Sequence, residues 1–144
     1  MDNKPEEFAP AIIGFFCNWC TATAADLAGT SRYQYPTNVM PIRVMCSGSV
    51  DPVYVLRALL SGADGVIIGG CAPGDCHYIS GNLKARRRIA ILKTILKTLR
   101  LDDERVLLKW ITAAEGRKFA TVMTEFTEAI KKKGPNTFNK RWDI

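Results

Sequence analysis

The sequence is poor in histidine and has neither a long apolar stretch nor a leader-like start, and each shortage closes off a class of function. Among 144 residues there is one histidine, His77, so no site can draw on a pair of imidazoles and a Rieske-type centre is excluded. The longest uncharged apolar runs, Ala11 to Cys17 and Gly65 to Gly74, fall well short of the roughly 20 residues that a membrane-spanning helix needs. Residues 1–7 lack the basic-then-apolar order of a signal peptide, and the chain is expected in the cytoplasm. Eleven glycines contain no Gly-x-Gly-x-x-Gly turn opening a helix, and no Ser–His–Asp arrangement is visible. Asp26, Asp51 and Asp75 are the remaining candidates for a catalytic carboxylate set. Asp51 is better explained as a helix cap, and Asp75 as a shaper of its loop. No residues suggest a substrate pocket.

What is present is an ordinary globular composition, 47% hydrophobic and 24% charged, at a length suited to one domain. The net charge of +6 conceals a division. Residues 1–83 carry four basic and seven acidic side chains, whereas residues 84–144 carry sixteen and seven. All five cysteines lie in the first part, so chemistry and basic surface are separated along the chain.

Apolar runs alternate with helical periodicity. Residues 1–10 read as an extended lead-in, and Ile12 to Phe16 as a buried strand ending at Cys17. Asn18 is expected to cap a helix that runs to Ala28 and stops at Gly29. Ile42 to Met45 form a second strand, ending at Cys46. Asp51 and Pro52 open a second helix, closed by Gly62. Gly65 to Gly70 form a third strand before Cys71, followed by a helix from Asn82 to Arg100 with apolar positions Ala85, Ile89, Leu92 and Leu96. Val106 to Ile111 are a fourth strand. Phe119, Val122, Met123, Phe126 and Ile130 mark a last helix stopped by Gly134 and Pro135. This alternation predicts an α/β fold: a flavodoxin-like open parallel sheet of about four strands, order 2-1-3-4, with helices on both faces. One domain spans residues 11–133. The tail 134–144 carries Phe138 and Trp142 outside any core pattern, and is read as either frayed or a segment that docks on a partner, with docking favoured. Arg86, Lys93, Lys97 and Arg100 make a basic helix stripe, but without the interleaved aromatics that nucleic-acid binding would favour.

The cysteines carry the chemistry. Cys17, Cys46 and Cys71 each end a predicted strand, and Cys20 and Cys76 follow within a few residues. All strands of an open parallel sheet end on one edge, the edge where such folds bind ligands. Five thiols scattered over 60 residues of chain therefore converge. An odd count in a cytosolic setting argues against a structural disulfide framework. Thiolates are the soft ligands that zinc and iron–sulfur clusters need, and a helix N-terminus helps hold them deprotonated. Spacing does not separate a structural zinc or adaptor site from an iron–sulfur site. A third reading is a thiol–disulfide oxidoreductase cycling Cys17 and Cys20, with Pro41 as its partner proline. Cys46, Cys71 and Cys76 have no place in it. His77 reads as a loop or capping residue.

The residues also resemble a known family. Phe16-Cys17-Asn18-Trp19-Cys20, Ala24 to Gly29, Arg43 to Gly48 and Gly69 to Tyr78 are similar to the iron–sulfur delta subunit of methyl-viologen-reducing (F420-non-reducing) hydrogenase, over about residues 11–133. The resemblance implies a [2Fe–2S] cluster held by four of Cys17, Cys20, Cys46, Cys71 and Cys76. It implies a redox subunit of an oxidoreductase complex, relaying electrons from a [NiFe]-hydrogenase to the FAD-containing subunit of heterodisulfide reductase, in the flavin-based bifurcation of methanogenesis. Its expected partners are those proteins, with neither nucleic acid nor membrane among them.

Overall fold

A computed structural model describes residues 6–138. Its centre is a parallel sheet of β1 (Ile12–Cys17), β2 (Val39–Val44), β3 (Gly65–Gly70) and β4 (Val106–Trp110) in the order β2-β1-β3-β4. The register pairs Phe16 with Gly69 across β1 and β3, and Ile67 with Leu107 across β3 and β4. Four helices connect and cover the strands: α1 (Thr21–Thr30), α2 (Pro52–Leu60), α3 (Gly81–Thr98) and α4 (Gly116–Lys133). The expected open α/β architecture, strand order included, is the one observed.

Alternation along the central strands divides the core in two. Ile12, Phe16 and Ile67 face α1 and α4, where they meet Ala24, Phe119, Met123 and Ile130. Phe15, Val66 and Ile68 face α2 and α3, where they meet Val55, Leu59, Leu92 and Leu96. Burying a side chain of this size contributes about 1.5–3 kcal/mol, so the two layers stabilise the sheet from both sides. β3 is buried along its whole length, whereas β2 lies on an edge and exposes Met40 and Ile42. Pro41 sits within β2, a position an edge strand tolerates.

Several boundaries differ from the sequence reading. The helix expected after Asn18 begins only at Thr21, because residues 18–20 make a turn in which the Cys20 N–H donates to the Cys17 carbonyl at 3.3 Å. The Asn18 side-chain oxygen is engaged by Arg43 at 3.0 Å and caps nothing. Gly29 lies inside the helix, and the left-handed residue beyond its end is Arg32, φ 56°. Asp51 does cap α2, its carboxylate accepting from the Val53 N–H at 2.8 Å, and Gly62 (φ 109°) follows its end.

Phe138 is a correction of another kind. It is 5% exposed and packs in the α2–α3 layer. Asn136 fastens this stretch: its side-chain amide donates to the carbonyls of Leu59 and Ala63 at 2.8 and 2.7 Å. Residues 134–138 therefore belong to the body of the protein. Trp142 lies outside the described residues. No helix among the described residues is long and apolar enough to cross a membrane.

Candidate metal centre

The parallel sheet brings all five cysteines to one edge. Cys17 is the last residue of β1 and Cys71 follows β3, the adjacent strand. Their sulfurs stand 3.8 Å apart. Cys46 follows β2 and precedes a single 3-10 turn, Ser47–Ser49. Cys76 comes from the loop between β3 and α3, and its sulfur is 4.0 Å from that of Cys46. Cys20 immediately precedes α1, with its sulfur within 4.8 Å of those of Cys17 and Cys71. The thiols thus fall into a group of three and a group of two. Four are buried and Cys76 is half-buried.

Backbone N–H groups surround these sulfurs. The Gly48 N–H donates to Cys46 Sγ at 3.4 Å. Burial raises the Cys76 thiol's pKa, but donors at Asn82, Tyr78 and Gly81 outweigh it and leave the thiol below its ordinary range. Two of those donors belong to the first turn of α3, where unpaired N–H groups and the helix dipole favour negative charge. Cys17 is lowered to about 5, first by its hydrogen bond with the Cys20 thiol and also by the backbone of Trp19. The same contact pushes Cys20 up, and burial pushes up Cys46 and Cys71. Crowded thiols cannot all be anionic without a compensating cation, and a bound metal supplies one.

Two residues essential to this geometry went unnoticed in the sequence. A Cβ on Gly81 would collide with Cys46 Sγ and crowd Cys76 Sγ, so only glycine lets the sulfur pair rest on the start of α3. Asn82, fully buried, donates both amide hydrogens at 2.9 Å to the carbonyls of Cys71 and Ala72, which fixes the loop leading to Cys76. Nothing local in Gly81-Asn82 signals either role. Gly48 supplies a backbone donor to Cys46. Gly70 instead makes room for Ser47 and Trp110, and Gly74 turns the loop at φ 90°.

The outer wall is aromatic. The Trp19 and His77 rings stack with centroids 3.9 Å apart, and the Trp19 Nε1–H donates to the Tyr78 hydroxyl at 3.3 Å. These rings join the loop carrying Cys17 and Cys20 to the loop carrying Cys71 and Cys76. His77 is thus a wall residue, in a loop as expected. The carboxylates are occupied elsewhere, with Asp26 on Arg43 at 2.9 Å and Asp51 on its cap. Asp75 is exposed in the cysteine loop. A groove of about 410 Å³ lies between β1, β2 and α2, lined mainly by hydrocarbon from Ile13, Phe15, Met40 and Ile42. Pro41 is exposed within the edge strand.

Metal–sulfur bonds of about 2.3 Å in a tetrahedral shell give sulfur–sulfur edges of about 3.8 Å. Cys17–Cys71 and Cys46–Cys76 each match such an edge. The soft donors lie in two neighbouring groups, Cys17, Cys20 and Cys71 in one and Cys46 with Cys76 in the other.

An α/β domain with a thiol-rich edge defines a class, the metal-binding redox or adaptor domains, and comparison with known proteins narrows it. Residues 12–134 match the family described as "Methyl-viologen-reducing hydrogenase, delta subunit". The chain is 53% identical over 135 residues to the iron-sulfur subunit of the F420-non-reducing hydrogenase of Archaeoglobus profundus, covering 94% of this chain and 98% of that one. It is 50% identical over 135 residues to the iron-sulfur subunit of the vhc F420-non-reducing hydrogenase of Methanococcus voltae, covering 94% of each. It is also 48% identical over 126 residues to one subunit of the ferredoxin:CoB-CoM heterodisulfide reductase of Methanosarcina mazei, covering 88% of this chain but 16% of that larger protein. The chain belongs to the family of methyl-viologen-reducing hydrogenase delta subunits. Its relatives are subunits of oxidoreductase complexes.

Proposed function

We propose that this chain is a cytoplasmic electron-transfer subunit carrying a [2Fe–2S] cluster, which receives electrons from a [NiFe]-hydrogenase and passes them to the flavin subunit of heterodisulfide reductase. The observation that carries this reading is the pair of sulfur–sulfur edges, 3.8 and 4.0 Å, at one edge of the sheet. Four of Cys17, Cys20, Cys46, Cys71 and Cys76 hold the group. When bound, a cluster of this kind supplies storage for one electron. The chain's own part is to bind and tune. The N–H groups of Gly48, Tyr78, Gly81 and Asn82 offset negative charge on the sulfurs, and Trp19, His77 and Tyr78 tie together the two loops that carry Cys17, Cys20, Cys71 and Cys76.

The partner assignment is supported by the similarity to a segment of the Methanosarcina mazei heterodisulfide reductase protein. A domain joined covalently to a heterodisulfide reductase chain in one organism is a natural neighbour of that enzyme where the two are separate chains. α3 offers a complementary surface: it carries Lys84, Arg86, Arg87, Arg88, Lys93 and Lys97 and no carboxylate. Such a face speeds and orients association with acidic partners.

Anaerobic purification with iron, sulfide and zinc assays, and an EPR spectrum of the reduced protein, tests the proposal. About two irons and two sulfides per chain, with a signal only after reduction, are expected. Zinc without iron would make the edge a structural adaptor site, and neither metal would favour thiol–disulfide exchange at Cys17 and Cys20. Changing Arg86, Lys93 and Lys97 to Glu should weaken co-purification with the hydrogenase and the flavoprotein. Unchanged recovery would remove α3 from the docking surface.

A further inference from the structure

Five thiols serve a group that takes four, and the geometry distinguishes among them. Resting on the [2Fe–2S] reading above, we infer that Cys17 with Cys71 and Cys46 with Cys76 are the two ligand pairs, and that Cys20 is a reserve ligand for the first pair alone.

Cys17 and Cys71 are fixed by neighbouring strands, and their 3.8 Å separation matches one tetrahedral edge. Cys46 and Cys76 form the second edge at 4.0 Å, seated on Gly81. Cys17 Sγ also contacts the carbonyl of Met45 at 3.8 Å. That carbonyl belongs to the residue before Cys46, so Cys17 stands on the side of the triad facing the second pair. Cys20 reaches the triad from the start of α1. Its sulfur contacts Thr21 Oγ1 at 3.6 Å, and that buried hydroxyl donates to the Ile111 carbonyl at 3.3 Å. Cys20 lies within 4.8 Å of both Cys17 and Cys71. It is thus the one further thiol near enough to enter the first pair's shell when a member of that pair is removed. Cys46 and Cys76 have no third thiol within that distance of both. The two halves of the site therefore differ in tolerance, one with a substitute sulfur and one without.

Single Cys→Ser variants at all five positions, with C20A and the double variant C20S/C71S, test this in the full chain. The readouts are iron and sulfide per chain and the EPR spectrum after reduction, with the urea midpoint of each apoprotein to separate lost metal from lost fold. C20S and C20A are expected to keep about two irons and the wild-type spectrum. C46S and C76S should lose most of the iron. C71S should keep a cluster with an altered spectrum, with Cys20 as the replacement ligand, and C20S/C71S should lose it. Loss of iron in both folded C20S and folded C20A would overturn the inference, as would equal iron in C71S and C20S/C71S. A wild-type chain with no iron would instead overturn the proposed function, and this inference with it.

Discussion

The two edges of the sheet are made by residues in equivalent places, immediately before or after the strands, yet they are built in opposite ways. At the amino edge, Ala11, Asp64 and Arg105 precede β1, β3 and β4. The Asp64 carboxylate accepts from the Ala11 and Asn136 N–H groups, both at 2.8 Å. The Arg105 guanidinium donates to the carbonyls of Asp64 and Gly134, both at 2.9 Å, and lies 3.6 Å from Asp102. Charge and hydrogen-bonding capacity are matched there. At the carboxyl edge five thiols crowd together, and three of them are pushed toward the neutral form. One edge is satisfied by hydrogen bonds within the chain; the other gathers soft thiol donors at one place. The fold keeps its stability away from its chemistry, and this separation can be tested by substitutions at each edge.

The largest effect on stability is expected at the amino edge. Arg105 is 5% exposed, and Arg105→Ala takes the donor from the carbonyls of Asp64 and Gly134, at a cost of about 1–3 kcal/mol for each, while Asp102 keeps Lys133 at 3.2 Å. Urea unfolding of the apoprotein measures it. Iron per folded chain should not change, and a parallel loss of iron would mean that the two edges are coupled through the sheet.

Gly81→Ala is the reciprocal case. Gly81 is the first residue of α3, where the mid-helix preference for alanine does not apply, and overpacking against Cys46 costs about 1–3 kcal/mol, so the apoprotein should unfold at a somewhat lower urea concentration. The added methyl occupies the space of Cys46 Sγ, and iron content should fall several-fold. A variant that keeps its iron would show that α3 can withdraw from the sulfur pair.

The thiols also give the apoprotein a pH dependence that the amino edge does not explain. Cys17 is depressed from 9.0 to about 5. A depressed group binds fewer protons folded than unfolded across that window, so its contribution grows as pH rises from about 5 to about 9 and is complete above. Cys76 acts in the same direction. Cys20, Cys46 and Cys71 are raised, and their contribution is complete below about 9 and lost as pH rises further. The urea midpoint of the reduced apoprotein should therefore peak near pH 9. In Cys17→Ser the rise on the acid side should flatten, and an unchanged profile would remove Cys17 as its source.

Much of this comparison was legible in the sequence because it depends on strand ends. Apolar runs located β1, β3 and β4, and a parallel sheet then required Cys17, Cys46 and Cys71 to share an edge. Asp51-Pro52 and Gly62 carry their helix signals in their own chemistry. The remainder depends on contacts between distant segments. Asn18 has the composition of a cap, but Arg43 from the next strand engages it. Phe138 has no periodic neighbours, and Asn136 binding to Leu59 and Ala63 explains why it is buried. Gly81 matters for the space it leaves beside two sulfurs from other loops. Trp19 and His77 stack across 57 intervening residues. Local patterns found the elements and the convergence of the thiols, but not the pairing within the thiol group.

The smallest effect is expected where the carboxyl edge meets solvent. Arg43 joins Asn18 and Asp26 at 3.0 and 2.9 Å, and both side chains of the ion pair are at least half exposed. Exposed pairs of this kind contribute at most about 1 kcal/mol, although this one touches the turn that carries Cys17 and Cys20. The same turn is held from within by the Asn18 N–H donating to the Val44 carbonyl at 2.7 Å, a bond that Arg43→Ala leaves in place. Iron content and EPR spectrum should therefore be those of the wild type, with a urea midpoint only slightly lower. A changed spectrum in Arg43→Ala would mean that the surface pair, and not the backbone bond between β1 and β2, orients the thiols, and the carboxyl edge would then depend on exposed electrostatics that salt can screen.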